Sequence, residues 1–445
     1  MPQPFPLQRP TFFSSTFWQR LRSRGAALAL VGAGLTPAWA QPFAQPGSAA
    51  VPAMQSPTQA PTAGSLKQAF DQAWLQQPEA RALGQRRAAA HANQRAAGAW
   101  TPSPMALELT HTTDRANKNE GQREWEAGVS IPLWLPGERT QSRAVANAEA
   151  AGVDLRLQAA QLKLAGALRE AVWLLARARV NGQLADGQLA SAQALTADVE
   201  RRWKAGDLAR SDLLQAQGTV AAARAAQAES AQAIVEAAQR WRALAGGNPP
   251  AGIDWAHEAE PADDAFLPAT HPLGAELAQR LAAAQASAVL AERQGAGNPE
   301  LTLGTTRERG NFDEPARYAL NVGLRVPFGH AARKDSQVAA ARAEVLELEA
   351  QMALEDTRLS GERDSARTRV TAARARLGAA DERLRLAELT RELIDKSFRL
   401  GESDLPTRLR TTQEASDAAR QQAGARIELA SAISQWRQAL GLLPQ

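Results

Sequence analysis

Residues 317–328 read Arg-Tyr-Ala-Leu-Asn-Val-Gly-Leu-Arg-Val-Pro-Phe, and residues 122–133 read Gln-Arg-Glu-Trp-Glu-Ala-Gly-Val-Ser-Ile-Pro-Leu. In the first stretch Tyr318, Leu320, Val322, Leu324, Val326 and Phe328 alternate with Arg317, Asn321 and Arg325. In the second, Trp125, Ala127, Val129, Ile131 and Leu133 alternate with Glu124, Glu126, Gly128 and Ser130. A period of two is the signature of a strand with one apolar and one polar face. The stretches also align residue for residue: Gly128 and Pro132 stand 195 positions before Gly323 and Pro327.

The same offset of 195 relates Pro104 to Pro299, Gly206 to Gly401 and Trp241 to Trp436. So many coincidences at one spacing mean an internal duplication. The reading is of a first repeat over 65–247, a connector rich in Gly, Pro and Asp over 248–272, and a second repeat over 273–441. Each repeat has one order of elements: a helix, a strand pair (about 104–135 and 299–328), a very long helix, a Gly-containing turn (about 203–212 and 398–407) and a returning helix. Met105, Leu107 and Leu109 mark the partner strand in the first repeat; Leu301 and Leu303 mark a shorter one in the second.

The long helices are read from Glu138 to about Arg202 and from about Ala332 to Arg399, stretches free of Pro and rich in Ala, Leu, Glu, Gln and Arg. At 1.5 Å per residue each would extend on the order of 100 Å, longer than a compact domain needs. Leu155, Leu162, Val172 and Leu175 recur at helical spacing, as do Val345, Leu348, Met352 and Leu359.

Composition narrows the function classes. The chain has 445 residues, 5% of them aromatic, and its 51 Lys and Arg against 47 Asp and Glu are interspersed, which argues against a nucleic-acid footprint. Cysteine is absent, removing disulfides, thiolate metal sites, cysteine nucleophiles and an N-terminal lipid anchor. The five histidines (His91, His111, His257, His271, His330) lack ligand spacing, and no nucleophile elbow or phosphate loop occurs, so no cofactor, metal or enzyme activity is expected. Arg20, Arg22 and Arg24, the apolar run Ala26 to Leu35 and Ala38-Trp39-Ala40 read as a signal peptide over 1–40, followed by a Pro- and Gln-rich leader over 41–64. Beyond it no segment has the roughly 18 apolar residues of a membrane-spanning helix.

A one-sided strand suits a soluble sandwich as well as a membrane barrel. Length favours the barrel: Tyr318 and Phe328 lie ten residues apart on one face, roughly 25 Å along the membrane normal at a tilt near 40°. The polar stretches Thr113–Arg123 and Arg307–Ala316 would be extracellular loops, and Glu124, Glu126, Arg317 and Arg325 would face the lumen, as selectivity charges or as plain solvated wall. Four strands cannot close a barrel, and open edges are not tolerated in lipid. Three copies supplying twelve strands are the simplest closure.

Taken together, the repeat, the strand ends Ser130-Ile131-Pro132-Leu133-Trp134-Leu135-Pro136-Gly137-Glu138-Arg139 and Val326-Pro327-Phe328-Gly329, and the turns Arg202-Trp203-Lys204-Ala205-Gly206 and Phe398-Arg399-Leu400-Gly401 resemble the TolC family of outer-membrane efflux proteins. The resemblance implies a mainly α fold with a small β part: a homotrimer with a twelve-stranded barrel in the lipid of the outer membrane and a helical barrel crossing the periplasm. It also implies a passive conduit served by a periplasmic adaptor and an inner-membrane transporter, closest in style to members serving heavy-metal or cation pumps. Trp203, Gly206 and Asp212, with Phe398 and Gly401, would form the tip where the aperture is gated and the adaptor docks; the second repeat has Thr407 where the first has Asp212. The alternatives are the conduit of a type I protein secretion system and, in a different class, a soluble periplasmic coiled-coil scaffold.

Overall fold

A computed structural model describes residues 65–250, 256–262, 268–294, 297–329 and 331–445. The expected signal peptide and leader, parts of the connector, and His330 lie outside them. Seven helices and four strands follow in the order α1 Leu66–Gln76, α2 Pro78–Ala97, β1 Ala106–Thr113, β2 Arg123–Pro132, α3 Glu138–Ala205, α4 Arg210–Ala245, α5 Pro272–Arg293, β3 Glu300–Arg309, β4 Arg317–Arg325, α6 Ala331–Leu400 and α7 Leu405–Ala439. Elements of the second half recur at the offset read from the sequence: α4 begins at Arg210 and α7 at Leu405, 195 residues on.

The helices form a layer four wide. Next to the sheet the order of contact is α2, α3, α5, α6; towards the far end it is α4, α3, α7, α6. The two long helices, of 68 and 70 residues, therefore run through both halves. The shorter helices share the remaining two places. Buried positions along α3 mix Leu with small residues, among them Ala159, Ala165, Ala171, Ala176, Ala178 and Ala185, and the small ones let neighbouring helices approach closely. None of the helices described is long and apolar enough to cross a membrane.

The four strands make one antiparallel sheet in the order β1-β2-β3-β4, so the centre of the sheet joins the two repeats. Two expectations need correction. β4 ends at Arg325 rather than at Phe328; Pro327 has no N–H to give to the ladder, so Val326 and Phe328 lie beyond the strand, and the ten-residue separation of Tyr318 and Phe328 is not a strand length. β3 is no shorter partner: it runs ten residues, Glu300–Arg309. Its threonines suit a strand, and pairing on both sides extends it past the two leucines.

At mid-height the connector is tied into the helices by charge. Glu258 takes a bidentate pair of hydrogen bonds from Arg169 of α3 (Nε to Oε2 2.8 Å, Nη2 to Oε1 2.7 Å), and Arg437 of α7 donates from Nε to Oε1 at 3.2 Å. Arg169 also donates to the Gln438 side chain and the Leu442 carbonyl. All three charged side chains are almost fully buried, beside a core of Leu66, Phe70, Leu168, Val172, Trp173 and Trp241. Removing one partner of a buried pair leaves an uncompensated charge. Glu258→Ala should therefore cost on the order of 3–5 kcal/mol, measured as the loss in unfolding free energy of the purified chain in denaturant.

His271 caps α5, its Nδ1 accepting from the Leu273 N–H at 3.3 Å. Burial holds its imidazole below the ordinary histidine value, against the raising influence of a backbone hydrogen bond with Gln438 and the carboxylates of Glu355 and Glu362. Between the unfolded value near 6.5 and the lower folded one, the unfolded chain binds more protons. Stability should therefore fall as pH drops below about 6.5. His271→Asn keeps a capping side chain and should remove this part of the pH dependence in melts between pH 7 and 5.

Candidate functional site

Residues directly opposite in an antiparallel pair share a face, so the register sorts every strand residue. One face carries Leu107, Leu109 and His111 of β1, Trp125, Ala127, Val129 and Ile131 of β2, Leu301, Leu303, Thr305 and Arg307 of β3, and Tyr318, Leu320, Val322 and Leu324 of β4. Among the described residues nothing covers it: Leu320 is 81% exposed and Leu107 79%. A contiguous apolar patch of this kind marks a surface that meets lipid or protein.

The opposite face brings the four expected lumen charges together. Glu124, Glu126, Arg317 and Arg325 all lie on it, with three further carboxylates, Glu108, Glu300 and Glu308. The alternation of two would have found these three had β1 and β3 been read to their full length. Arg325 stands 3.8 Å from Glu300 across β3 and β4. Glu124 and Glu308 are direct cross-strand neighbours, an arrangement of like charges that is unfavourable unless water or counterions bathe it. The face is thus acidic on balance and suited to water. Gly128 and Gly304 pair at its centre, where a side chain on Gly304 would come within 3.2 Å of the Ala127 carbonyl oxygen.

At the far end of the helices, Gly206 and Gly401 each take a left-handed conformation, φ 90° and 80°, closing α3 and α6. That conformation favours Gly. The next helices start differently. In the second repeat Asp404 is the N-cap, accepting from the Thr407 N–H at 3.0 Å, and hydrogen bonds from Thr407, side chain before backbone, hold its carboxyl below the usual carboxylate range. In the first repeat the equivalent of Asp404 is Ala209, and Asp212, the equivalent of Thr407, reaches back to accept from the Ala209 N–H at 3.1 Å. The acid stands three places further along the helix in the first repeat and takes a different backbone donor, the N–H of the N-cap residue itself rather than that of the third helical residue.

The two tip aromatics differ. Trp203 is 37% exposed, whereas its equivalent Phe398 is 2% exposed, packed with Leu195, Val199, Leu213, Ala216 and Leu405. The guanidiniums of Arg202 and Arg408 lie 4.8 and 4.6 Å from the Phe398 ring. Arg408 donates to Asp395 at 2.7 Å and lies 3.8 Å from Asp198, which also stands 3.5 Å from Arg202. This cluster joins the α3–α4 hairpin to the α6–α7 hairpin. Sequence reading did not single out Asp198, Asp395 and Arg408, and took Arg202 only as part of the turn: Asp198, Arg202 and Arg408 have Leu393, Ser397 and Leu213 as their repeat equivalents, and only Asp395, opposite Glu200, keeps its charge. Among the described residues no group of three or more His, Cys, Asp or Glu gathers as a metal would require.

Residues 69–247, from within α1 to just past α4, match the model of a protein family described as outer membrane efflux protein. The match spans the first repeat and leaves the second outside it. No curated protein sequence matches the chain at a significant level. Among solved structures, the outer membrane protein VceC from Vibrio cholerae is similar over 84% of this chain and 96% of its own, with a TM-score of 0.67 at 19% identity. The Campylobacter jejuni CmeC outer membrane channel is similar over 84% of this chain and 85% of its own (0.66, 14%), and the channel CusC over 85% and 92% (0.71, 16%). These likenesses extend the efflux-protein fold through the second repeat. The family match over the first repeat and the shared fold over the rest together support an outer-membrane efflux channel rather than an enzyme.

The tip cluster yields a direct expectation. Phe398→Ala should destabilise by about 3–5 kcal/mol, the cost of a large-to-small change at a buried aromatic. The loss should show first as faster amide exchange in residues 195–216 and 395–415 than at the Trp173 core.

Proposed function

We propose that three copies of this chain close into one water-filled conduit, with the sheets forming a twelve-stranded barrel through the outer membrane and the helices forming a tunnel that leads away from it into the periplasm. The observation that carries this reading is the single four-stranded sheet with one exposed apolar face, one acidic face and both edges, β1 and β4, left open. In lipid such edges must be paired. Joining β1 of one copy to β4 of the next pairs every edge, turns the leucines to lipid and turns Glu108, Glu124, Glu126, Glu300 and Glu308 to the lumen. Strands of eight to ten residues suit a tilted crossing. The loops 114–122 and 310–316 would then face the outside, since every helix leaves from the other end of the sheet.

Substrate moves passively, delivered by an inner-membrane pump through a periplasmic adaptor that docks at the tip around Trp203, Gly206, Asp212 and Gly401. Phe398 supports the tip from within rather than touching the adaptor. The acidic lumen favours cations, in keeping with a pump for heavy-metal cations. The charge cluster of Asp198, Arg202, Asp395 and Arg408 holds the hairpins together at the aperture.

The first test is the full chain extracted from the outer-membrane fraction, run unheated on a gel and examined in a planar bilayer. A heat-sensitive trimer with cation-selective conductance is expected; a monomer without conductance overturns the reading. Glu124→Gln with Glu126→Gln should lower the cation-to-anion permeability ratio by about twofold or more at low salt, and less once the Debye length shrinks to about 10 Å at 0.1 M. Gly206→Trp, which forces a bulky residue into a left-handed position at the tip, should impair efflux in cells while the trimer band persists. Equal loss of trimer and efflux would remove the docking role.

A further inference from the structure

We propose that the loop end of the apolar sheet face binds the phosphate groups of a lipid in the outer leaflet of the membrane. The inference rests on the barrel reading. It adds a ligand site on the outside of the wall, away from the lumen and the tip.

The register places the outward face in rows, each two residues further along the strands. From the helix end, Ile131, Leu301 and Leu324 form one row, Leu107, Val129, Leu303 and Val322 the next, and Leu109, Ala127, Thr305 and Leu320 the third. The fourth is His111, Trp125, Arg307 and Tyr318; the fifth is Thr113, Arg123 and Arg309. Chemistry thus changes from aliphatic to aromatic and cationic within about 7 Å, the length of two residues of strand. Aromatic residues mark the interface level of membrane barrels, which puts the arginines at the depth of lipid headgroups.

These arginines lack the partners an arginine ordinarily has. Arg123 and Arg309 are direct cross-strand neighbours, an unfavourable pairing of like charges unless an anion lies between them. Among the described residues no carboxylate forms an ion pair with Arg123, Arg307 or Arg309. Glu124 and Glu308 alternate onto the other face, and at the rim of the sheet they line one depression with Arg123, Arg309 and Glu314 without an ion pair to either arginine. What these guanidiniums do touch leaves donors spare: Arg307 lies 5.7 Å from the Tyr318 ring, and Arg309 lies 5.6 Å from the Phe312 ring and donates to the Gly121 carbonyl at 3.3 Å. His111 and Trp125 stack with ring centroids 4.0 Å apart, giving the row below a flat surface.

A guanidinium fork matches phosphate oxygens in bidentate fashion. Three forks on one face, directly above leucines meant for acyl chains, match a phosphate that is itself joined to acyl chains. A free phosphate would use the arginines and leave the apolar rows below without a partner. A lipid bearing phosphate monoesters satisfies both, and the glucosamine-based lipid of the bacterial outer leaflet, lipid A, has that chemistry.

The test uses the full chain purified from outer membranes in detergent and stripped of lipid, with lipid A in its bisphosphorylated form, lipid A dephosphorylated enzymatically, and inorganic phosphate at the same concentration as probes. Bisphosphorylated lipid A should raise the melting temperature and remain bound in native mass spectra; the dephosphorylated form and inorganic phosphate should do neither. Arg123→Gln with Arg307→Gln should weaken binding by about tenfold for each guanidinium lost, the worth of a hydrogen bond to a charged group. Arg317→Gln with Arg325→Gln, on the lumen face, should leave it unchanged. Equal binding of the two lipid forms overturns the proposal without any variant. So does an equal response to inorganic phosphate, or equal weakening by both double variants. A chain absent from the outer-membrane fraction would overturn the barrel reading and this site together, whereas a conducting trimer indifferent to the lipid phosphates would remove this site alone.

Discussion

A sheet that exposes leucine on one face and leaves two edges unpaired cannot rest as it stands in water or in lipid. Water penalises the face, with Leu107, Leu320 and their neighbours bare; lipid penalises the edges, since each unpaired N–H and C=O costs several kcal/mol there. Both penalties vanish together when the edges find partners and the apolar face is covered by lipid or protein. The rest of the chain is arranged around that constraint. All described helices leave from one end of the sheet, the two short loops occupy the other, and charged residues on the face opposite the leucines are predominantly acidic.

Duplication provides the geometry with economy. One unit contributes two strands and one hairpin of helices, and β2 pairs with β3 across the boundary between repeats. The helical layer stays four wide along its length because α3 and α6 run through while α2 gives way to α4 and α5 to α7. Where the repeats must differ, they differ in charge. Arg169 has Asp364 as its repeat equivalent, and Arg169 instead joins Glu258 of the connector and Gln438 of the last helix. Burying that ion network adds less to stability than an apolar core of equal volume would. It does hold the connector to both repeats at one defined place.

Differences between equivalent residues are equally informative at the tip. Trp203 and Phe398 occupy the same step of the same turn, yet one is partly exposed and the other forms the centre of a cluster with two guanidiniums against it. Asp404 caps its helix, whereas Asp212, three residues further along the equivalent helix, reaches back to the N–H of the cap residue. Backbone geometry is conserved between the repeats, with Gly206 and Gly401 left-handed in both, while the side chains have divided the tasks of support and exposure.

Much of this was legible in the amino-acid sequence, because periodicity and repetition are local properties of the chain. The offset of 195, the long Pro-free helices, the alternation in β2 and β4, the left-handed glycines and the shared face of Glu124, Glu126, Arg317 and Arg325 all follow from spacing alone. What spacing could not supply was pairing. The full length of β3 depends on neighbours on both sides, the end of β4 on a ladder that Pro327 cannot continue, and the burial of Phe398 on a second hairpin brought alongside from two hundred residues away. The Arg169–Glu258–Arg437 network and the Asp198–Arg408–Asp395 cluster belong to the same class. Charges far apart in the chain become partners only when tertiary packing removes water from between them, and no local pattern encodes that distance.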